Sequence, residues 1–297
     1  MMPMEGVPPF EVAEIVTRAL REDGPWGDAT ATAVLFADQE FDARFTARED
    51  GVCSGIAVAE EVFAQLDSRV VFEPALADGD RFAAGDVLAR VSGPARAIVT
   101  GERIALNLLQ RMCGVATMTA AYVDVVEKAV VAAGIRAPWV IDTRKTTPGL
   151  RILEKYSVRM GGGHNHRYCL SDAVMVKDNH LQMLVEAAGG GDEAVTQALR
   201  DVRSRMGHTQ HLEVEVDRID QIEPVVAAGV DSIMLDNFTP EELVKGVSAV
   251  AGRCRVEASG GINLDTIGAV ATTGVDVISV GALTHAARAL DIGLDGA

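Results

Sequence analysis

Between Arg144 and Lys177 the chain carries seven basic residues: Arg144, Lys145, Arg151, Lys155, Arg159, Arg167 and Lys177. The same stretch holds two acids, Glu154 and Asp172. A local excess of positive charge inside an acidic chain is what a focused anion site requires, and arginine forks suit carboxylates and phosphates in particular. Arg151, Lys155 and Arg159 fall at helical spacing, so a solvated helix face explains those three as well. Glu215 and Asp236 end two apolar runs and form a pair suited to Mg²⁺ shared with substrate phosphates, or to pairing with the local cations. Ser259-Gly260-Gly261 and Gly281-Ala282 offer close backbone approach and N–H groups for a phosphate. The run MGGGHNHR (160–167) sets His164 and His166 two apart, which with Glu215 and Asp236 leaves a zinc hydrolase open. Arg144, Lys145, Arg167 and Lys177 would crowd such a dication.

These residues need elements to hold them. Apolar runs at 138–142, 172–177, 211–216, 230–236, 254–259 and 275–280 alternate with helical patterns at 192–206, 219–228, 240–251 and 264–272. Strands alternating with helices predict a parallel sheet, and the compact repeat predicts an α/β barrel. Ligands of such a barrel sit at the carboxyl ends of its strands. In HLEVEVD, His211, Glu213, Glu215 and Asp217 share one face, while Leu212, Val214 and Val216 share the other.

The first hundred residues read differently. A helix at 10–22 precedes the turn cluster REDGPWGDAT, and strand-like runs follow at 41–48, 51–58 and 69–74, with hairpins over 78–100. This predicts a small α+β domain. A helix follows over 100–130, with Thr100 as its N-cap and a stripe of Ile104, Ala105, Leu108, Leu109 and Met112. Arg103, Asn107 and Gln110 lie on another face. The hairpins resemble a biotinyl or lipoyl carrier, but a carrier must present a lysine and the first 127 residues have none.

At 297 residues the chain is long enough for two modest domains, and its net charge of −16 makes a nucleic-acid partner unexpected. No apolar run reaches the ~20 residues of a membrane span. The opening MMPMEGVPPFEVAEIV lacks the pattern of a signal peptide, and the four cysteines are widely spaced. A cytoplasmic enzyme without membrane contact is the expectation. One chemical alternative is a sugar-phosphate enzyme with Lys145 or Lys177 as a Schiff base.

The strings ERIALNLLQRMCGVAT (102–117), DTRKTTPGLRILEKYSVRMGGGHNHR (142–167), MVKDNH (175–180), EVEVD (213–217), IMLDNF (233–238), EASGGI (257–262) and VGALTH (280–285) run in the order found in quinolinate phosphoribosyltransferases. The sequence closely resembles that family, and GPWGDAT near the start fits as well. His164 falls at a variable position of the family motif, which weakens the zinc reading. The resemblance implies an incomplete α/β (TIM-like) barrel with an N-terminal α+β sandwich-like domain. The corresponding boundaries are 1–115 for the N-terminal domain, with the tail 286–297 packed on it, and 116–285 for the barrel. It implies phosphoribosyl transfer from phosphoribosyl pyrophosphate to quinolinate with loss of CO₂, giving nicotinate mononucleotide in de novo NAD synthesis. It implies that Arg144, His166, Arg167 and Lys177 bind the two carboxylates, with Arg103 reaching in from the partner of a homodimer. Lys145 is expected on substrate and phosphoribosyl oxygens. Glu215 and Asp236 are expected at the ribose and Mg²⁺, and Ser259, Gly260, Gly281 and His285 around a phosphate.

Overall fold

The computed structural model describes residues 4–187 and 190–297. Two compact units emerge, and neither is one continuous stretch of chain. The first takes residues 1–120, 145–162 and 283–297; the second takes 121–144 and 163–282.

The strands are β1 (Glu40–Ala47), β2 (Gly51–Val52), β3 (Val71–Pro74), β4 (Arg81–Phe82), β5 (Val87–Pro94), β6 (Trp139–Ile141), β7 (Ala173–Val176), β8 (His211–Val216), β9 (Ser232–Asp236), β10 (Arg255–Ser259), β11 (Val277–Ser279) and β12 (Ile292–Gly296). The helices are α1 (Pro9–Asp23), α2 (Ala29–Val34), α3 (Ile56–Leu66), α4 (Ala95–Ala133), α5 (Arg151–Met160), α6 (Asp178–Ala187), α7 (Asp192–Ser204), α8 (Ile222–Ala227), α9 (Pro240–Val250), α10 (Ile267–Ala271) and α11 (Ala282–His285). Among the described residues no helix is long and apolar enough to cross a membrane.

In the first unit β12, β1, β5 and β3 form an antiparallel sheet in that order. The C-terminal strand enters it by pairing Ile292 with Ala47 and Leu294 with Phe45. Phe45 is fully buried against Phe63 and Phe72, with ring centroids about 6 Å apart, and Ile98, Leu109 and Met112 of α4 join the same core. Two local expectations fail here. The run 51–58 is a strand only at Gly51–Val52, because Gly55 turns the chain at φ +101° and α3 starts at Ile56. Thr100 is not an N-cap: α4 already begins at Ala95, and the Thr100 hydroxyl donates to Asp28 Oδ2 at 3.1 Å.

In the second unit six parallel strands run in the order β6-β11-β10-β9-β8-β7. The ladder is open, with β6 and β7 as its edges. A single parallel bridge from Ile141 to His164 extends the β6 edge. All six strands fall within or beside the apolar runs read from the sequence. Leu212, Val214 and Val216 are buried, as the alternation of β8 requires.

Candidate active site

Period-two alternation sorts the parallel strands into layers on one face of the sheet. Lys177, Glu215, Asp236, Ser259 and Gly281 stand at or just beyond the carboxyl ends of β7, β8, β9, β10 and β11. Register ties neighbours together: Ser259 pairs with Asp236, and Glu215 with Met234. Lys177 Nζ donates to Glu215 Oε2 at 3.0 Å, and Asn237 Nδ2 donates to Asp236 Oδ2 at 2.6 Å. Both loops after β9 and β10 bend through the left-handed region, at Asn237 (φ 60°) and Gly260 (φ 90°). A Cβ at Gly260 would come within 2.3 Å of Asn237 Oδ1, so only glycine fits there. The glycines after β10 lie in a loop that reaches α10 only at Ile267. Gly281 does lead directly into α11.

One layer deeper lies a buried network that the sequence reading did not assemble. His166 Nε2 stands 3.1 Å from Glu213 Oε2 and 3.9 Å from Glu257 Oε1. Ser232 donates to Glu213 Oε1 at 3.1 Å, and Ser232 itself meets His211 Nε2 at 2.7 Å. Asp142, fully buried, accepts from the His166 N–H at 2.9 Å and from Asn165 Nδ2 at 2.6 Å. Burial and the neighbouring Glu213 carboxylate push the Glu257 carboxyl well above its ordinary range, favouring its protonated form. Burial pushes Glu213 the same way, but His166, Glu257 and Ser232 outweigh it and hold Glu213 below its ordinary value. His166, His211, Glu213, Ser232 and Glu257 line a cavity of about 280 Å³ with Trp139, Arg255 and Val277 from the amino-terminal ends of the strands.

Arg167 belongs to the same wall. Its Nη1 donates to the Ala173 carbonyl at 2.8 Å. Burial, and then the closeness of Arg144, lowers its pKa. A buried guanidinium with a second one beside it gains from an anion at hand.

His166, Glu213 and Glu257 are also the donors that, among the described residues, converge closely enough to hold a metal ion. The hydrogen bonds speak for a proton there instead. Arg167 N–H donates to His166 Nδ1 at 2.6 Å, so that nitrogen is the acceptor and Nε2 carries the proton toward Glu213. The zinc pairing of His164 with His166 fails: His164 is exposed and packs on the Trp139 ring with centroids 4.7 Å apart. For Mg²⁺, Glu215 and Asp236 supply hard oxygen donors on adjacent strands, the donor type that ion takes.

Arg103, Lys145 and His285 are exposed residues of the first unit. Lys155, expected on a solvated face, is 3 % exposed, while Arg151 Nε donates to Thr146 Oγ1 and Arg159 stacks on Tyr156.

Residues 115–295 match the family description "Quinolinate phosphoribosyl transferase, C-terminal domain", and residues 28–113 match its N-terminal domain. A relative from Bacillus subtilis, named probable nicotinate-nucleotide pyrophosphorylase [carboxylating], is 39% identical over 286 residues, 96% of this chain and 93% of its own. Quinolinate phosphoribosyltransferase [decarboxylating] 1b from Nicotiana tabacum is also 39% identical, covering 97% of this chain and 83% of its own. The crystal structure of NadC from Streptococcus pyogenes superposes with a TM-score of 0.88 at 39% identity, over 98% of each chain.

Proposed function

The chain belongs to the quinolinate phosphoribosyltransferase family, and from that premise we propose how its side chains carry the reaction. The enzyme transfers the phosphoribosyl group of phosphoribosyl pyrophosphate to quinolinate with loss of CO₂. The products are nicotinate mononucleotide and pyrophosphate, a step of de novo NAD biosynthesis.

Arg144, Arg167, His166 and Lys177 take the two carboxylates of quinolinate. The observation that carries this assignment is the Arg144–Arg167 proximity beside His166, a dense cationic wall that a dianion stabilises. Lys145 contacts substrate and phosphoribosyl oxygens. Ser259, Gly260, Gly281 and His285 surround a phosphate, and the glycine-only fit at Gly260 supports that close approach. Glu215 and Asp236 face the ribose and would hold Mg²⁺. When bound, that ion takes up charge on the departing pyrophosphate.

The C1–O bond of the ribose breaks as the pyridine nitrogen forms its bond to C1. Positive charge builds on the ribose in the transition state, where the Glu215 and Asp236 carboxylates stabilise it. The nitrogen is then cationic. The adjacent C–CO₂ bond breaks with its electron pair left on the ring carbon beside that nitrogen, and a proton replaces CO₂. Orientation and electrostatics do the work, so no nucleophilic side chain is used.

Arg103, exposed on α4, completes the site of the partner subunit in a homodimer. The four cysteines are unpaired thiols, which supports a reducing compartment, the cytoplasm.

An acceptor assay tests the assignment. Protein, Mg²⁺ and phosphoribosyl pyrophosphate are mixed with quinolinate or, separately, with nicotinate. CO₂ and nicotinate mononucleotide in equal amounts, from quinolinate alone, are expected. Equal turnover of nicotinate would remove the dicarboxylate role from the cationic wall.

A further inference from the structure

Arg111 lies on α4 with its side chain only 22 % exposed. Its Nε and Nη2 donate to Glu154 Oε1 at 3.0 and 2.7 Å. Its Nη1 also donates to the Ala287 carbonyl and its Nη2 to the Thr284 carbonyl. Glu154, 1 % exposed in the first turn of α5, accepts from the Thr147 N–H with its other oxygen at 3.0 Å. Thr284, fully buried, closes the circuit, because its hydroxyl donates to the Lys145 carbonyl at 2.8 Å.

One guanidinium thus ties two chain segments, 145–147 and 284–287, to each other and to α5. A buried ion pair contributes little net stability compared with a well-packed apolar pair. Its five N–H donors in a rigid fork do fix geometry, which a lysine ammonium at the same place would not. The two segments are the ones that carry Lys145 and His285.

We propose that Arg111 and Glu154 are positioning residues, a buried clamp that sets the backbone from which Lys145 and His285 reach the phosphoribosyl pyrophosphate. The proposal rests on the roles given to those two residues above. Neither Arg111 nor Glu154 touches substrate; they act through the backbone of the segments they hold.

The test compares R111K and T284V with K145A and H285A, all in the full-length enzyme. R111K keeps the charge and loses the fork; T284V keeps the shape and removes the one hydroxyl bond to Lys145. The readouts are kcat and KM for each substrate, quinolinate affinity by calorimetry, and thermal midpoint. R111K is expected to lower kcat/KM for phosphoribosyl pyrophosphate by about 100-fold, the cost of misplacing reacting groups by about an ångström. T284V is expected to lower it by up to about tenfold, the worth of one hydrogen bond. Quinolinate affinity is expected to fall by much less, within about threefold in both, since Lys145 is only one of its contacts and Arg144, Arg167, His166 and Lys177 lie outside the segments that the clamp holds. If R111K does not fold, T284V alone decides.

Wild-type phosphoribosyl pyrophosphate kinetics in R111K and T284V, beside impaired K145A and H285A, would overturn the clamp. Parallel losses for both substrates would overturn it too, because they indicate general loosening. Unimpaired K145A and H285A would instead overturn the underlying site assignment, whatever Arg111 does.

Discussion

Glu257 shows how much a strand's sequence leaves unsaid about a single residue. In the run CRVEAS it looks like the polar half of an ordinary alternation. Whether that half faces water or the inside of a curved sheet depends on strands far away in sequence. Here it faces inward at 4 % exposure, beside Glu213, with its Oε1 lacking a hydrogen-bond partner. The strand-end positions of Lys177, Glu215, Asp236 and Ser259 were legible, because apolar runs mark where strands stop; the inward burial of Glu257, Ser232 and Asp142 was not. The raised pKa of Glu257 has a pH signature. The folded protein holds a proton that the unfolded chain releases at about pH 4.3, so its contribution is present below that value and is lost as pH rises toward the folded value. Gln needs no proton. E257Q is expected to lose less stability than wild type as pH rises above the ordinary carboxylate range, read as urea midpoint against pH. Parallel curves would contradict a protonated Glu257. Arg144 yields a simpler expectation: R144A is to abolish quinolinate binding in calorimetry, and tight binding in that variant would refute its place on the carboxylates.

At the scale of elements, strand positions were legible from apolar runs, whereas α3 was not. Ile56–Ala59 is an apolar run that periodicity alone cannot assign, and what makes it a helix is burial among Phe63, Met112 and the sheet. The packing of α5 on α4 turns on Gly161, whose added Cβ would lie 2.3 Å from the Ala116 carbonyl oxygen and 2.6 Å from Thr119 Cβ. Backbone on one side leaves no cheap relief. G161A is therefore expected to destabilise the protein by about 3 kcal/mol, measured as a lower urea midpoint. A change within about 0.5 kcal/mol would mean that the helices separate freely. The C-terminal strand is tied differently. Glu49 accepts from Arg288 and from the Asp291 N–H, and these bonds pull its pKa down to about 2. A depressed carboxylate contributes above its unfolded value and loses that contribution as pH falls through its folded one. Amide exchange in β12 is accordingly expected to speed up as pH drops from about 4.3 toward 2, relative to exchange in β5, and E49Q to show the faster exchange already at neutral pH.

The whole molecule raises the question of what one chain can do alone. In a chain of net charge −16, Arg144, Lys145, Arg167 and Lys177 fall within one short stretch, and the proposed site would steer a dianion by field as well as by contact. The rate constant kcat/KM for quinolinate is expected to fall with added salt more steeply than kcat, since screening acts on encounter. Arg103 adds a cation that the proposal places in the partner's site, and a two-fold dimer makes that arrangement reciprocal. The consequence is arithmetic. R103A and R144A are each expected to be inactive as homodimers. When the two are refolded together at equal amounts, half of the dimers are mixed. In each mixed dimer one site draws an intact Arg103 from one chain and an intact Arg144 from the other, while its second site lacks both. Activity should therefore return to about one quarter of the wild-type value. If native mass spectrometry finds the mixed dimers and no activity returns, Arg103 serves its own chain, and each subunit carries a complete set of cations by itself.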